Sequence, residues 1–232
     1  MQKIAILAGA ILAGILSAPA LAETRTLDVG PFTAVDITSG IKAEIVAGGT
    51  QSVVADAPSV RDFDDFRYEV RNDVLHVWYD WNVFRLFDFI DRRMTLTIST
   101  SDIKSIEVTS GATVSAKGID RDNLRVEVTS GATATVDAKA TTYDLEATSG
   151  ASLTIGGACQ SARLDVSSGA SVGAKALACA GVTADASSGA HIDITATGTA
   201  DVDASSGAAV TVFGHPSVEH LDASSGASVQ FP

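Results

Sequence analysis

A carboxylate stands four residues before each of eight glycines. Asp36, Glu107, Glu127, Glu146, Asp165, Asp185, Asp203 and Asp222 precede Gly40, Gly111, Gly131, Gly150, Gly169, Gly189, Gly207 and Gly226. Both neighbours of every acid are apolar, so in an extended chain the acids share the outward face. If successive copies stack, the seven from Glu107 onward form a column at one strand spacing, where like charges repel by roughly 0.9 kcal/mol per pair in water. One use of such a column is a soluble face whose side chains splay apart. Another is to collect Ca2+ or a second hard cation through carboxylate oxygens, or to dock a basic partner. The Gly-Gly-x-Gly-x-Asp signature of calcium-loaded repeats is absent, so the expected Ca2+ binding is weak and salt-sensitive, and no cofactor is expected. Residues 176–232 contain no Lys or Arg, and no basic column is expected to offset the acids.

Cys159 and Cys179 lie ten residues before Gly169 and Gly189, at equivalent places in successive copies. Stacking would set their Cα atoms about 5 Å apart, inside the disulfide range of about 4.4–6.8 Å. A disulfide is the expectation, with two buried thiols as the alternative. Residues 169–173 match the GxSxG string of a nucleophile elbow, which needs a strand, a strained turn and a helix. The counterparts of Ser171 are Thr113, Thr133, Ser152, His191, Ala209 and Ser228, so the repeat explains this serine without catalysis. His76, His191, His215 and His220 show no familiar zinc-ligand spacing and read as surface or capping residues. Trp78, Tyr79, Trp81, Phe84, Phe87 and Phe89 are 6 of the 13 aromatic residues. They either cap the first turn of a repeat fold or form an exposed loop that grips a partner, a sugar or a membrane interface.

The elements that must position these groups follow from the repeat. The seven later glycines are 20, 19, 19, 20, 18 and 19 residues apart, a period that marks a solenoid. Around each, apolar and polar residues alternate with period two, as in Leu164 to Val172, which specifies strands. Thr, Val, Ser and Gly are weak helix formers and nothing recurs at 3.6. The expected fold is all-β: a parallel β-solenoid with ~19–20-residue rungs over residues 101–232, rising about 4.8 Å per rung, or about 29 Å from Gly111 to Gly226. Its interior must be thin, because the inward positions hold Ala, Val, Leu and Ile. Each Ser-Gly pair reads as a corner, with glycine at positive φ. Residues 23–100 read as an irregular N-terminal β region continuous with the solenoid, containing a hairpin of Tyr68–Val70 with Val74–Trp78 about Asn72 and Asp73.

Composition bounds the rest. The 232 residues are 46% hydrophobic and 19% charged, which disfavours disorder, and their net charge is −12, which argues against nucleic acid or anionic lipid as a partner. Lys3, the apolar run Ile4–Leu16 and the Ala20-Leu21-Ala22 site read as a signal peptide over residues 1–22, too short for a membrane span. The mature chain is expected to be exported, to the periplasm, the outer surface or the medium, with no transmembrane segment.

The tract FTAVDITSGIKAEIV from Phe32 to Val46, followed by serial Ser-Gly-Ala motifs, resembles the head GIN domain family of exported bacterial proteins, named as auto-transporter adhesins. The resemblance runs from about Leu27 to the end. It implies a β-solenoid in the periplasm or at the cell surface with an adhesive or envelope role, and it carries over no catalytic residues. The chain departs from many such proteins in lacking a lipidation cysteine, and it shows no membrane-barrel segment. Enzymes on parallel β-helices need acids gathered with Arg or Lys or a calcium cluster at one place, whereas here the acids recur evenly and the basic residues, such as Arg125 and Arg163, fall on separate rungs. The expected function is therefore a non-catalytic surface or adhesion module with a protein or glycan partner. The alternatives are a carbohydrate-binding or carbohydrate-cleaving β-helix and a weakly cation-binding envelope protein. The last rung offers an unpaired strand edge, so self-association is a further expectation.

Overall fold

The computed structural model describes residues 22–80 and 93–232. All but the last residue of the expected signal segment lies outside them. The strands are β1 (Glu23–Thr26), β2 (Ala34–Ile37), β3 (Lys42–Ala47), β4 (Ser52–Ala57), β5 (Phe66–Arg71), β6 (Val74–Tyr79), β7 (Thr95–Thr100), β8 (Ser105–Val108), β9 (Thr113–Val128), β10 (Thr133–Ala147), β11 (Ser152–Val166), β12 (Ser171–Ala186), β13 (His191–Ala204), β14 (Ala209–Phe213), β15 (Ser217–Ala223) and β16 (Ser228–Gln230). A single 3-10 turn, Val60–Phe63, is the one helical element among the described residues. The chain is an all-β parallel solenoid of about 7 turns.

Period two becomes burial directly. Along β10, Ala134, Val136, Ala138 and Ala140 are buried, and after Thr141 and Thr142 the inward set resumes with Tyr143, Leu145 and Ala147. The phase slip at the two threonines bends the rung between two faces.

The other bend is the Ser-Gly turn. In all eight copies the serine as well as the glycine takes the left-handed conformation, with φ of 51° to 61° for Ser39, Ser110, Ser130, Ser149, Ser168, Ser188, Ser206 and Ser225, and 70° to 80° for the following glycines. These are type I′ values. The N–H after each glycine donates to the carbonyl three residues back, as from Ala132 to Thr129 at 3.1 Å. The turns also bond to one another: the Gly131 N–H donates to the Ser149 carbonyl at 3.0 Å, and the same bond recurs from Gly40 through Gly207. The sequence placed the left-handed strain on glycine alone; the structure shares it with serine, because a two-residue reversal of this hand needs both residues there.

The irregular N-terminal region contains ordered rungs in a non-sequential order. β2 lies between β6 and β8, and β3 between β7 and β9, all parallel. Among the described residues, antiparallel pairing is confined to this end, where β4 covers β7, β1 covers β4, and β5 returns along β6. The expected hairpin is present, with Asn72 and Asp73 at φ 53° and 62°. Phe32, Phe63 and Phe66 are buried at this end.

Among the described residues of the regular rungs, 101–232, the thin interior buries one aromatic side chain fully. Tyr143 is buried, and its hydroxyl donates to the Ala138 carbonyl at 2.7 Å. Gly157 on the next rung, at φ 137°, makes this possible: a Cβ there would fall 1.8 Å from the Ala138 carbonyl oxygen and 3.4 Å from the tyrosine hydroxyl. The turn glycines, by contrast, have open space where a Cβ would go and are required by φ alone. Cys159 pairs with Cys179 in register, their Cα atoms 4.5 Å apart, and the two are joined as a disulfide.

Two substitutions separate these glycine roles. Gly189→Ala should cost about 1 kcal/mol, the left-handed penalty for one residue. Gly157→Ala should cost several times more, because backbone must move. Thermal melts of the two variants ranking the other way would refute the close packing around Tyr143.

Candidate functional site

Strand register sets the acids in line. Asp36 pairs with Glu107, Glu107 with Glu127, and the series runs through Glu146, Asp165, Asp185 and Asp203 to Asp222. All eight acids form one column rather than seven, because β2 sits directly beneath β8. His76 on β6 extends it beyond Asp36, with Nδ1 2.9 Å from Asp36 Oδ2.

No continuous basic column runs beside the acids, as expected, but two arginines offset them in the middle rungs, which was not expected. The outward position two residues before each acid stacks as a second column: Ala34, Ser105, Arg125, Asp144, Arg163, Thr183, Asp201 and His220. Arg125 Nη2 donates to Glu127 at 3.0 Å and to Glu146 at 2.9 Å, while its Nη1 donates to Asp144. Arg163 reaches Asp185 at 2.7 Å. The hydrogen bond it donates to Glu127, and after it the contacts with Asp144, hold the Arg125 guanidinium more firmly charged than usual. Lower in the column, Glu107's carboxyl is held above the usual range, first by loss of hydration and then by the charges of Asp36 and Glu127, with His76 and Arg125 opposing.

Beside the column, the bends of the long strands line a groove of about 1210 Å3. Five basic residues meet there: Lys104 before β8, Arg121 and Arg125 on β9, Lys139 on β10 and Arg163 on β11. Chain order scatters them over four rungs, and stacking gathers them. Six acids share the walls: Asp102, Asp120, Asp122, Asp144, Glu146 and Asp165. Arg121 lies 3.3 Å from Asp102 and Lys104 3.8 Å from it. Tyr143 also contributes to the lining, and burial pushes its hydroxyl up to about 12, so it stays protonated as a donor. Sequence reading missed this site. Its signal was the side-chain type at the position two before each acid, together with the bend residues opposite the Ser-Gly turns.

The other candidates separate. Ser171 stacks beside His191, whose Nε2 is 3.4 Å from Asp193, yet no hydrogen bond joins serine and imidazole, and the position is a plain outward step of the repeat. Trp78 and Tyr79 lie on β6, where Trp78 Nε1 donates to Asp80 at 3.1 Å and Tyr79 packs edge-on to Phe66. Trp81, Phe84, Phe87 and Phe89 lie outside the described residues. No helix among the described residues is long and apolar enough to cross a membrane.

The strained carboxyl makes a pH prediction. Folding favours the protonated form of Glu107, a contribution present below the unfolded value and lost as pH rises through the folded one. Glu107→Gln should therefore melt with the wild type below about pH 4 and above it at neutral pH. Equal melting temperatures at pH 7 would show that the column is not strained there.

Solved structures share this architecture. An adhesin described as putative from Bacteroides fragilis superposes with a TM-score of 0.82 at 17% identity, covering 91% of this chain and 97% of that one. One so described from Parabacteroides merdae gives 0.70 at 12%, covering 91% and 96%. A protein from Parabacteroides distasonis described as a putative lipid binding protein gives 0.68 at 10%, also covering 91% and 96%. No curated protein matches the chain. The family profile described as "Putative auto-transporter adhesin, head GIN domain" matches residues 31–216, and with the Ser-Gly rungs, their parallel register and the shared architecture, the chain belongs to that family.

Proposed function

We propose that the chain is an exported, non-catalytic binding module of the cell envelope, an adhesin-type head that holds an extended polar polymer, a surface glycan, in its groove. The observation that carries this reading is the groove itself, which crosses four rungs and concentrates five basic groups, with matching acids, on a chain of net charge −12. Its walls are donors and acceptors at strand spacing, suited to the repeated hydroxyls of a polysaccharide lying across successive rungs. Two of the groove's acids, Asp144 and Glu146, accept hydrogen bonds from Arg125, as does Glu127 beside them, which suits these carboxyls to holding a cation in place. The adhesin descriptions of the family and of the similar structures agree with a binding role. The signal-like amino end supports export.

Binding of the purified chain to an array of bacterial surface polysaccharides, followed by calorimetry, tests this. Arg121→Ala combined with Lys139→Ala should weaken the best binder at least about tenfold, or 1.4 kcal/mol, with an unchanged melting temperature. Equal binding by the double variant would remove the groove from the reading. Release of oligosaccharide during incubation would favour the carbohydrate-cleaving alternative.

A further inference from the structure

The column is compensated in two different ways along its length. Through Glu127, Glu146 and Asp185, the second column supplies guanidinium groups from Arg125 and Arg163. Beyond Lys175 no Lys or Arg remains, and the second column offers Asp201 and His220 instead. There the two columns bring Asp201, Asp203 and Asp222 together with a single imidazole, so the compensating cation found lower down is missing from the chain itself.

A bulge builds this cluster. β15 pairs with β13 through Ser217–Thr199 and Val218–Ala200, and the register then shifts so that His220, not Glu219, stands beside Asp201, with Asp222 beside Asp203. Bulges re-aim side chains, and this one turns the imidazole outward onto the carboxylates. His220 Nε2 lies 3.2 Å from Asp203 Oδ1. One donor atom from each of Asp201, Asp203 and His220 lies within 4.8 Å of the other two. A tetrahedral ion with bonds of about 2.0–2.1 Å holds its donors roughly 3.4 Å apart. Asp203 and His220 are about half exposed and can close that gap by small rotations.

We propose that Asp201, Asp203 and His220 form a binding site for a first-row divalent transition-metal ion of the Zn2+ class, placed where the second column runs out of arginine. The donor set selects the class: an imidazole nitrogen with two carboxylates suits such ions, whereas Ca2+ takes six to eight oxygens. Three protein donors on the outward faces of β13 and β15 leave a coordination position open to solvent or to a ligand on a partner. The site lies apart from the groove, so it stands or falls independently of the proposed function.

The test is calorimetric titration of the full chain with Zn2+ and, separately, Ca2+. One saturable Zn2+ equivalent is expected, with Ca2+ binding much more weakly. His220→Ala and Asp201→Asn should each weaken Zn2+ at least about tenfold, or 1.4 kcal/mol. His191→Ala, which removes an imidazole beside Asp193 alone, should leave it unchanged. Melting temperatures without metal check that the variants fold, and Zn2+ should raise that of the wild type but not of His220→Ala. Absence of saturable Zn2+ binding, insensitivity to His220→Ala, or equal affinity for Ca2+ would overturn the proposal.

Discussion

The structure depends on the register between successive Ser-Gly turns. The N–H of each turn glycine from Gly40 to Gly207 reaches the serine carbonyl of the next turn, seven bonds of 3.0 to 3.2 Å. Because side chains alternate with period two, a slip of one residue would bury every carboxylate and expose the alanines packed beneath them. The rungs are not equal in length, yet the acids stay aligned. The differences are absorbed by irregularities between Asp137 and Ala138, between Thr154 and Gly156 and between Ala174 and Gly181, away from the turn and the acid, and by one between Ala200 and Asp201 that reaches the second column. The turn and the three or four residues before it form the constant part of each rung, and the remainder tolerates insertion.

Holding eight serines in the left-handed region costs about 1 kcal/mol each. Two ladders oppose that cost. The backbone ladder gives each turn an intramolecular partner, at about 1 kcal/mol net per bond. A side-chain ladder joins the residues before the serines, as where Thr129 donates to Thr109 at 2.9 Å and Thr148 meets Ser167 at 3.1 Å. An interior built largely from Ala and Val gains less from burial per residue than one of Leu and Phe. Continuous hydrogen bonding and exact repetition of shape between rungs, with one disulfide, therefore carry a larger share of cohesion here.

Sequence made the constant part legible, because a feature that returns every nineteen residues is read many times over. The acid column, the outward face, the Ser-Gly corners and the cysteine pairing follow from arithmetic on positions, and the Asn72-Asp73 hairpin from local turn chemistry. What occurs once was not legible. The insertion of β2 between β6 and β8 depends on long-range pairing that leaves no periodic trace, and it turned seven stacked acids into eight. Gly157 has no counterpart in the repeat, and its purpose comes from Tyr143 on the neighbouring rung. Arg125 and Arg163 were visible as residues, but their place two before an acid went unread, so the compensation of the column was missed.

In a fold whose rungs are nearly interchangeable, individuality sits in the positions free to vary without disturbing the register. The outward position two before each acid is such a place: its occupants run from Ala34 through Arg125, Asp144 and Arg163 to His220, while the residue beside them is always Asp or Glu. A constant column of negative charge thus acts as a template, and the neighbouring column decides what meets it: guanidinium groups in the middle rungs, where the groove opens, and an imidazole near the last. Because the two columns run side by side at strand spacing, changing one residue alters the local charge of two rungs at once, as Arg125 does by contacting Glu127, Asp144 and Glu146 together. A solenoid of this kind can acquire a binding surface by single substitutions that leave the core, the turns and the register untouched.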